Sequence, residues 1–317
     1  MPDIPSLIIH GGAGSSLDDP SRAGRIRDAL FAVLDPVYEM LLAGATAKEA
    51  VLAGCRMLED DPLFNAGTGS AIQSDGQIRM SASLMDGAHQ RFSGVINAMR
   101  LAHPIDLAAH LQGERDRVLD GAGALELMRE LGVPPHDPLV EQRFRRWLNE
   151  RERGFAKDAV DVVAGEGDDR GQGTIGVVAL DTYGHLCAGT STGGRGFERV
   201  GRVSDSATPA GNYADKACAA SATGIGEDIL DICLSARLCI RVTDAMSLKQ
   251  ALRRTFDECH NQDLRLGAIA IDAHGTIGWG KTSDILLAAY RVGDAQGDTL
   301  SEPVGTCVGT LSPHERR

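Results

Sequence analysis

The pattern of hydrophobic and polar residues changes abruptly at Thr174. The segment AGEGDDRGQG, 164–173, is polar and glycine-rich, as expected for the end of a linker that we place over 154–173. Residues 175–180, IGVVAL, are apolar and rich in β-branched side chains, which predicts a buried strand. Gly-Thr at the start of such a strand is an unusual position for a threonine, so we single out Thr174 as a candidate nucleophile.

The strand that follows Thr174 is predicted to form a hairpin with the next one. Residues 175–181 and 185–192 flank the turn Thr182-Tyr183-Gly184. If Asp181 pairs with His185, counting back along both strands places Thr174 opposite Thr192. Both faces of these strands are apolar or small, which predicts a sheet covered on each side.

The rest of the chain mixes helical and strand periodicity, which indicates an α+β fold. Pro36 interrupts the first helical pattern and either kinks one helix or begins a second. Capping boxes at Thr46/Glu49 and Ser247/Gln250 begin two further helices. Another helix is predicted over 225–240. The segment 104–157 also has helical periodicity, with Leu125, Met128 and Leu131 forming one apolar stripe. Strands are predicted to begin at Leu7 and to cover 78–85, 92–99, 267–272, 276–280 and 285–290. A hairpin turn is predicted at 74–76, and the residues from Gly293 onward are predicted to be irregular.

The amino-acid composition limits the classes of partner and of metal site that this protein is expected to have. The net charge of −12 disfavours nucleic acid and anionic membranes. No apolar run could span a bilayer, and MPDIPSLIIHGG lacks the features of a cleavable leader. The seven cysteines include no CxxC pair, which indicates buried free thiols in a cytoplasmic protein. No Cys-His grouping has ligand spacing, so we expect no side-chain metal site. Both charge signs follow one face of 141–153, which indicates a solvated helix rather than a binding surface.

The chemistry of Thr174 requires a base. Threonine is a poor nucleophile by itself, but an N-terminal threonine carries an α-amino group with a pKa of about 7.7–8.0. The chain must therefore be cut between Gly173 and Thr174. Glycine at position 173 tolerates a strained backbone and lets the Thr174 hydroxyl reach the preceding carbonyl.

Two further groupings provide binding chemistry. Arg202 and Asp205 lie three residues apart in one loop, where they could bind the α-carboxylate and α-ammonium of an amino acid; a surface ion pair is the alternative. Thr223 and Gly224 precede a predicted helix, where a hydroxyl and backbone N–H groups would suit an oxyanion; a simple helix cap is the alternative.

Seven motifs occur in order along nearly the whole chain: IHGGAG at 9–14, PLFNAGTG at 62–69, MDG at 85–87, GTIG at 173–176, TSTGG at 190–194, GRVSDS at 201–206 and TGIG at 223–226. Together they resemble the plant-type L-asparaginase / isoaspartyl aminopeptidase group of N-terminal nucleophile hydrolases. The resemblance implies an α+β, four-layer αββα sandwich in one domain, 1–317. It also implies autoproteolysis into an α subunit, 1–173, and a β subunit, 174–317, assembled as a homodimer of αβ units.

The resemblance also implies a role for each site residue and no required cofactor. Thr174 would be the nucleophile, oriented by Thr192, and its substrate would be asparagine or a β-aspartyl dipeptide. Thr223 and the Gly224 N–H would form the oxyanion hole. Arg202 and Asp205, helped by Gly224 and Gly226, would bind the substrate, and Asn65 would lie near the cleft. Backbone carbonyls near Leu58–Gly67 would hold a structural sodium ion.

The sequence departs from the family pattern at three places. Ser204 replaces a usual glycine, Ser81 replaces a common aspartate, and Asp263–Leu266 replaces glycine pairs before a strand. These changes leave the substrate open among asparagine, β-aspartyl dipeptides and glycosylated asparagine. AGTSTGG with the later TGIGED also resembles glycosylasparaginase, a sister branch. A non-catalytic family member that binds an amino acid or another anionic metabolite is the remaining alternative.

Overall fold

A computed structural model describes residues 4–15, 17, 20–155 and 173–313. Most of the predicted linker, 156–172, lies outside the described residues. The described chain contains helices and two β-sheets, so the α+β prediction is confirmed. The helices are α1 (Pro20–Leu42), α2 (Ala47–Asp60), α3 (Pro104–Leu111), α4 (Gly121–Leu131), α5 (Glu141–Glu152), α6 (Gly226–Ile232), α7 (Leu234–Thr243) and α8 (Leu248–Asn261).

Thirteen strands are present in the described part of the chain: β1 (Ser6–Gly14), β2 (Met80–Asp86), β3 (Arg91–Ala98), β4 (Val118–Leu119), β5 (Ile175–Leu180), β6 (Leu186–Thr192), β7 (Asn212–Ala214), β8 (Cys218–Gly224), β9 (Leu266–Asp272), β10 (Ile277–Lys281), β11 (Ile285–Val292), β12 (Ala295–Asp298) and β13 (Cys307–Leu311). The first sheet has the order β12-β11-β1-β5-β6-β2-β3-β4, and the second has the order β13-β10-β9-β8-β7. Neighbouring strands are antiparallel except β3 and β4. The strand that follows Thr174 is therefore central in the first sheet.

Successive side chains of the central strands point to opposite faces of the sheet, and each face packs against a different apolar cluster. Val177 belongs to a cluster with the buried faces of α1, α2 and α3, whereas Val178 belongs to a cluster shared with the second sheet. A third cluster joins the second sheet to α6, α7 and α8. The prediction that the sheet is covered on both faces is confirmed, and its interior strands are fixed by packing from two sides.

Several predicted elements have different bounds. Pro36 lies inside one continuous helix, α1, because the apolar face from Ile26 to Leu41 stays buried across it. The predicted helix 225–240 is two helices, since Cys233 adopts the left-handed conformation (φ 51°, ψ 53°) with no glycine or proline to signal the break. Residues 74–76 form a turn but not a hairpin, because no strand precedes them.

Two predictions about surface segments are wrong. In α4, Leu125 and Leu131 are exposed, and the buried residues are Ala124, Leu127 and Met128. Residues after Gly293 are not irregular: β12 pairs with β11, and β13 pairs with β10. The strand β12 has no buried side chain and is held by backbone hydrogen bonds to β11, so its sequence carries little hydrophobic signal. In β13, Leu311 is buried in the cluster between the two sheets.

Two predictions from composition can be compared with the structure. All seven cysteines are free, and five of them are buried, so the expectation of buried free thiols is largely confirmed. Within residues 20–155 and 173–313, no helix combines the length and apolar character needed to cross a membrane.

Candidate active site

The hairpin formed by β5 and β6 brings Thr174 and Thr192 together. Ile175 pairs with Ser191 and Leu180 with Leu186, which is the register predicted from the turn. The Thr174 hydroxyl donates to Thr192 Oγ1 at 3.0 Å. Thr192 Oγ1 also accepts from the Gly194 N–H at 3.1 Å, which orients it. Ser81, one of the departures from the family pattern, pairs with Thr192 from β2 and accepts the Asn97 N–H through Oγ.

A buried hydrogen-bond chain lies behind β5, the strand that follows Thr174. Ser221 Oγ is 2.9 Å from His10 Nε2 and 2.7 Å from Thr190 Oγ1, so the chain joins the two sheets. Burial lowers the pKa of His10 to about 3, and the imidazole is therefore neutral near pH 7. A Cβ on Gly176 would collide with Ser221 Oγ and His10 Nε2, which explains glycine two residues after Thr174. Sequence reasoning missed this chain because its members are up to 211 positions apart.

Thr223 and Gly224 lie at the end of β8, next to Gly173. Thr223 Oγ1 is buried and has no hydrogen-bond partner among the described residues, and a Cβ on Gly173 would lie 3.4 Å from it. Gly224 has φ 132°, a conformation that side chains disfavour, and a Cβ there would lie 2.6 Å from Leu266 Cα. The segment that departs from the family pattern, Asp263–Leu266, therefore packs directly against Gly224. The helix α6 begins two residues later, at Gly226.

Arg202 and Asp205 meet at the first turn of α6, but they are not the isolated pair that the sequence suggested. Gly226 lies between them: a Cβ there would clash with Arg202 Nη2 and lie 2.7 Å from Asp205 Oδ1. Arg202 Nε and Nη2 donate to Glu227 at 2.9 and 3.1 Å, and Arg195 donates to the same carboxylate at 3.2 Å. One edge of the Arg202 guanidinium is thus already occupied. The alternative of a surface ion pair is excluded, because the Arg202 side chain is only 10% exposed.

Asp205 is a buried carboxyl with an unusual proton affinity. Burial raises the pKa of Asp205 to about 7, although the Arg202 charge and the Ser204 hydroxyl act in the opposite direction. Asp205 Oδ2 has no hydrogen-bond partner among the described residues. By contrast, the pKa of Glu227 is lowered, because its contacts with Arg202 outweigh the opposing effect of burial. A buried, under-satisfied carboxyl is suited to a cationic ligand.

One pocket joins these groups. Asn65 donates to the Gly194 carbonyl at 2.6 Å and accepts the Ala71 N–H at 2.8 Å, so it fixes the wall beside Thr192. Of the predicted site residues, the pocket is lined by Asn65, Gly173, Thr174, Thr192, Arg202, Asp205, Gly224 and Gly226. Thr223 adjoins Gly173 but is not among the lining residues. Two further lining residues, Arg143 and Arg146, come from α5, so this helix, which is mostly exposed as predicted, also borders the pocket.

The loop between α2 and Gly69 passes close to several backbone carbonyl oxygens. A Cβ on Gly67 would clash with the Glu59 carbonyl oxygen, and one on Gly69 would lie 2.8 Å from the Pro62 oxygen and 3.2 Å from the Phe64 oxygen. These close approaches explain the glycines at both positions, and the Glu59 carbonyl also accepts the Thr68 N–H at 2.7 Å. Among the described residues, no group of three or more His, Cys, Asp or Glu side chains could hold a metal ion.

The comparisons with known proteins agree with one another. The family model described as Asparaginase matches residues 3–301. The chain is 56% identical to an isoaspartyl peptidase/L-asparaginase of Nostoc sp., covering 97% of this chain and 98% of that protein. It is 51% identical to a Synechocystis sp. protein of the same name, covering 97% and 94%. It is also 32% identical to a plant-type L-asparaginase of Pyrococcus abyssi, covering 90% and 95%. The chain belongs to the asparaginase family.

Proposed function

We propose that this chain is an amidohydrolase that cleaves L-asparagine, β-aspartyl peptides or both, with Thr174 as its nucleophile. The observation that carries the proposal is the 3.0 Å contact between the Thr174 and Thr192 hydroxyls in a pocket that also contains Arg202 and Asp205. The names of the relatives support the reaction, and they favour this branch over glycosylasparaginase.

The first step is maturation. The Thr174 hydroxyl attacks the Gly173 carbonyl, the peptide bond breaks, and hydrolysis of the resulting ester leaves a Gly173 carboxylate and a free Thr174 amine. The products are an α subunit, 1–173, and a β subunit, 174–317. Within the intact chain the Thr174 nitrogen is an amide and cannot serve as a base, so activity depends on this cleavage.

In the mature site, the Thr174 amine takes the hydroxyl proton while the oxygen attacks the side-chain carbonyl of the aspartyl group. The Thr223 hydroxyl and the Gly224 N–H stabilise the oxyanion, and Thr192 orients the nucleophile. Collapse of the intermediate breaks the C–N bond and releases ammonia or an amino acid, which carries the proton away. Water then hydrolyses the acyl-enzyme and frees aspartate.

Binding of the amino-acid end is assigned to Arg202 and Asp205. Because Glu227 occupies the Nε edge of Arg202, the substrate α-carboxylate would contact the remaining guanidinium nitrogens. Asp205 in its ionised form would accept the α-ammonium, with Gly224 and Gly226 forming the wall between the two charges.

The other expectations remain proposals that the structure is compatible with. The three apolar clusters support a four-layer αββα sandwich that forms one domain. The carbonyl oxygens within Leu58–Gly67 would hold a structural sodium ion, and the reaction above requires no other cofactor. The net charge of −12 argues against nucleic acid as a partner, and we keep a cytoplasmic homodimer of αβ units as the expected assembly.

Cleavage and turnover can be tested together. Purified protein should resolve on a denaturing gel into two fragments, the smaller beginning at Thr174 by N-terminal sequencing. Thr174→Ala should remain uncut and inert, with Thr182→Ala, in the turn at the far end of the β5–β6 hairpin, as a control outside the pocket. The matured enzyme should then be assayed on asparagine, a β-aspartyl dipeptide and glycosylated asparagine. A wild-type chain that stays whole, or turnover by Thr174→Ala, would contradict the mechanism.

A further inference from the structure

Two opposite charges of the pocket lie close together without forming an ion pair. A Cβ on Gly226 would clash with Arg202 Nη2 and would lie 2.7 Å from Asp205 Oδ1, so the two groups are separated by one glycine. Both residues are described, and the ion pair that Arg202 forms is with Glu227 rather than with Asp205. Asp205 Oδ2 has no hydrogen-bond partner among the described residues. The guanidinium is therefore held by a contact other than the nearest buried carboxyl.

The contact that holds it is made by Glu227, in the first turn of α6. Arg202 Nε donates to Glu227 Oε1 at 2.9 Å, and Arg202 Nη2 donates to Glu227 Oε2 at 3.1 Å. Two parallel hydrogen bonds between a guanidinium and a carboxylate fix the orientation of the guanidinium plane as well as its position. Arg195 Nη1 also donates to Glu227 Oε2, at 3.2 Å, so two arginines share this carboxylate.

The alternative partner of Arg202 is Asp205 itself. Asp205 lies three residues further along the same loop and is buried, and opposite charges attract each other more strongly in a protein interior than in water. Burial raises the pKa of Asp205 to about 7; of the two neighbouring charges, Arg202 acts to lower this pKa and Glu227 to raise it. A guanidinium released from Glu227 therefore has a buried carboxyl within easy reach.

A direct pair between Arg202 and Asp205 would hinder the binding of an amino acid. The amino-acid end of the substrate carries one carboxylate and one ammonium group, which we assign to Arg202 and Asp205 respectively. If these two side chains were paired with each other, the ligand would have to break their contact before it formed its own. Charges that are held apart before the ligand arrives avoid this cost.

We propose that Glu227 is a positioning residue that keeps Arg202 from pairing with Asp205, so that both charges stay open to the zwitterionic end of the substrate. This inference rests on the proposed function, which assigns Arg202 and Asp205 to that end. Glu227 is not among the residues that line the pocket, so it acts through Arg202 rather than by contact with the ligand.

The test uses Glu227→Gln, which keeps the size of the side chain but removes its charge and one acceptor oxygen. Matured wild type and variant are compared by the inhibition constant of the product, aspartate, over a series of pH values. Where Asp205 is ionised in both proteins, this constant should rise about tenfold, the scale of one charge-assisted contact that must first be broken. The KM for asparagine should rise in parallel. The kcat should stay within a few-fold of wild type, because the β5–β6 ladder positions Thr174.

The direction of the pH change distinguishes a closed pair from an arginine that is merely loosened. An adjacent guanidinium favours the ionised carboxyl, so pairing should move the midpoint of aspartate binding downward from about 7 by about one pH unit. An Arg202 side chain that instead moved away would leave Asp205 buried without its cation, and the midpoint would move upward. An unchanged or raised midpoint, or unweakened aspartate binding in the variant, would overturn the inference.

A matched control is available on the same helix. Asp231→Asn removes a carboxylate from an exposed position of α6, so it should keep the wild-type inhibition constant and midpoint. Glu227→Asp keeps the charge on a shorter side chain and should show the same two changes to a smaller degree, which provides the test if Glu227→Gln does not fold. Hydrolysis of asparagine by cut wild-type enzyme tests the proposed function separately. An active wild type beside a Glu227→Gln variant with unchanged aspartate binding would therefore contradict the positioning role alone.

Discussion

At one end of the pocket Thr174 and Thr192 face each other across two hydrogen-bonded strands, whereas at the other end Arg202 and Asp205 lie in and beside a loop. The first pair is positioned by the β5–β6 ladder, which is continuous from Ile175 to Leu180. The second depends on Glu227 and on the close approach of Gly226, both from α6. The two ends therefore differ in what holds them.

This difference has a physical consequence. A backbone ladder keeps its register when one side chain is changed, so Thr192→Val removes the hydroxyl with its contacts to Thr174 and Gly194 but leaves the strands in place. The other end is a set of charges in a largely buried setting, where each group changes the proton affinity of the others. We expect turnover to respond to the first end and the dependence of binding on pH to respond to the second.

The largest effect is expected at the strand end. Thr192→Val keeps the shape and the ladder but removes the partner of the Thr174 hydroxyl. The turnover number, kcat, should fall by about 100-fold, the scale of losing one positioned hydrogen bond in an active site, with KM little changed. Thr192→Ser, which retains the hydroxyl, should stay within a few-fold of wild type. Wild-type kcat in matured Thr192→Val protein would show that the hydroxyl pair has no catalytic part.

A smaller effect, specific to pH, is expected at the charged end. Asp205 must be ionised to bind an ammonium group, and burial raises its pKa to about 7. The inhibition constant of the product, aspartate, should therefore increase about tenfold per unit as pH falls below about 7. Inhibition by product is the measurement of choice because it requires no proton transfer by the Thr174 amine, and an α-amino group titrates at about 7.7–8.0, above the range of the expected change. In Asp205→Asn, binding should be weak and lack this dependence; a wild-type profile in that variant would assign the titration elsewhere.

The same pKa predicts the sign of a stability change. The folded-state pKa of Asp205 is raised above its ordinary 3.8, so the folded protein binds the proton more tightly than the unfolded chain between these values. Stability contributed by this group is present at low pH and is lost as pH rises from about 4 to 7. Without substrate, Asp205→Asn should consequently raise Tm above pH 7 and have little effect near pH 4.

The smallest effect is expected at Ser204, the residue next to Asp205. The Ser204 hydroxyl donates to Asp205 Oδ1 at 3.3 Å and lowers the pKa of that carboxyl. Ser204→Gly should move the pH dependence of aspartate binding upward by roughly a few tenths of a unit. Ser204→Ala serves to separate the hydroxyl from backbone freedom, because it should give the same shift. A shift in the glycine variant alone would assign the effect to the backbone.

Local sequence information determined the arrangement around Thr174. The change from polar to β-branched residues located β5, and the turn at 182–184 placed Thr174 opposite Thr192 because antiparallel pairing follows from counting residues. Capping boxes likewise located the starts of α2 and α8. In each case the residues that interact are close in sequence, and backbone geometry fixes their relation.

Only the tertiary structure decided the other features. Two of them join distant segments: Arg202 and Glu227 are 25 positions apart, and the His10–Ser221–Thr190 chain spans up to 211 positions. A third, the placement of Arg143 and Arg146 on the pocket wall, depends on which face of α5 is docked. Side-chain charge alone does not distinguish a docked arginine from a solvated one. Burial distinguishes the two, because it removes water, shifts proton affinities and makes each polar contact specific.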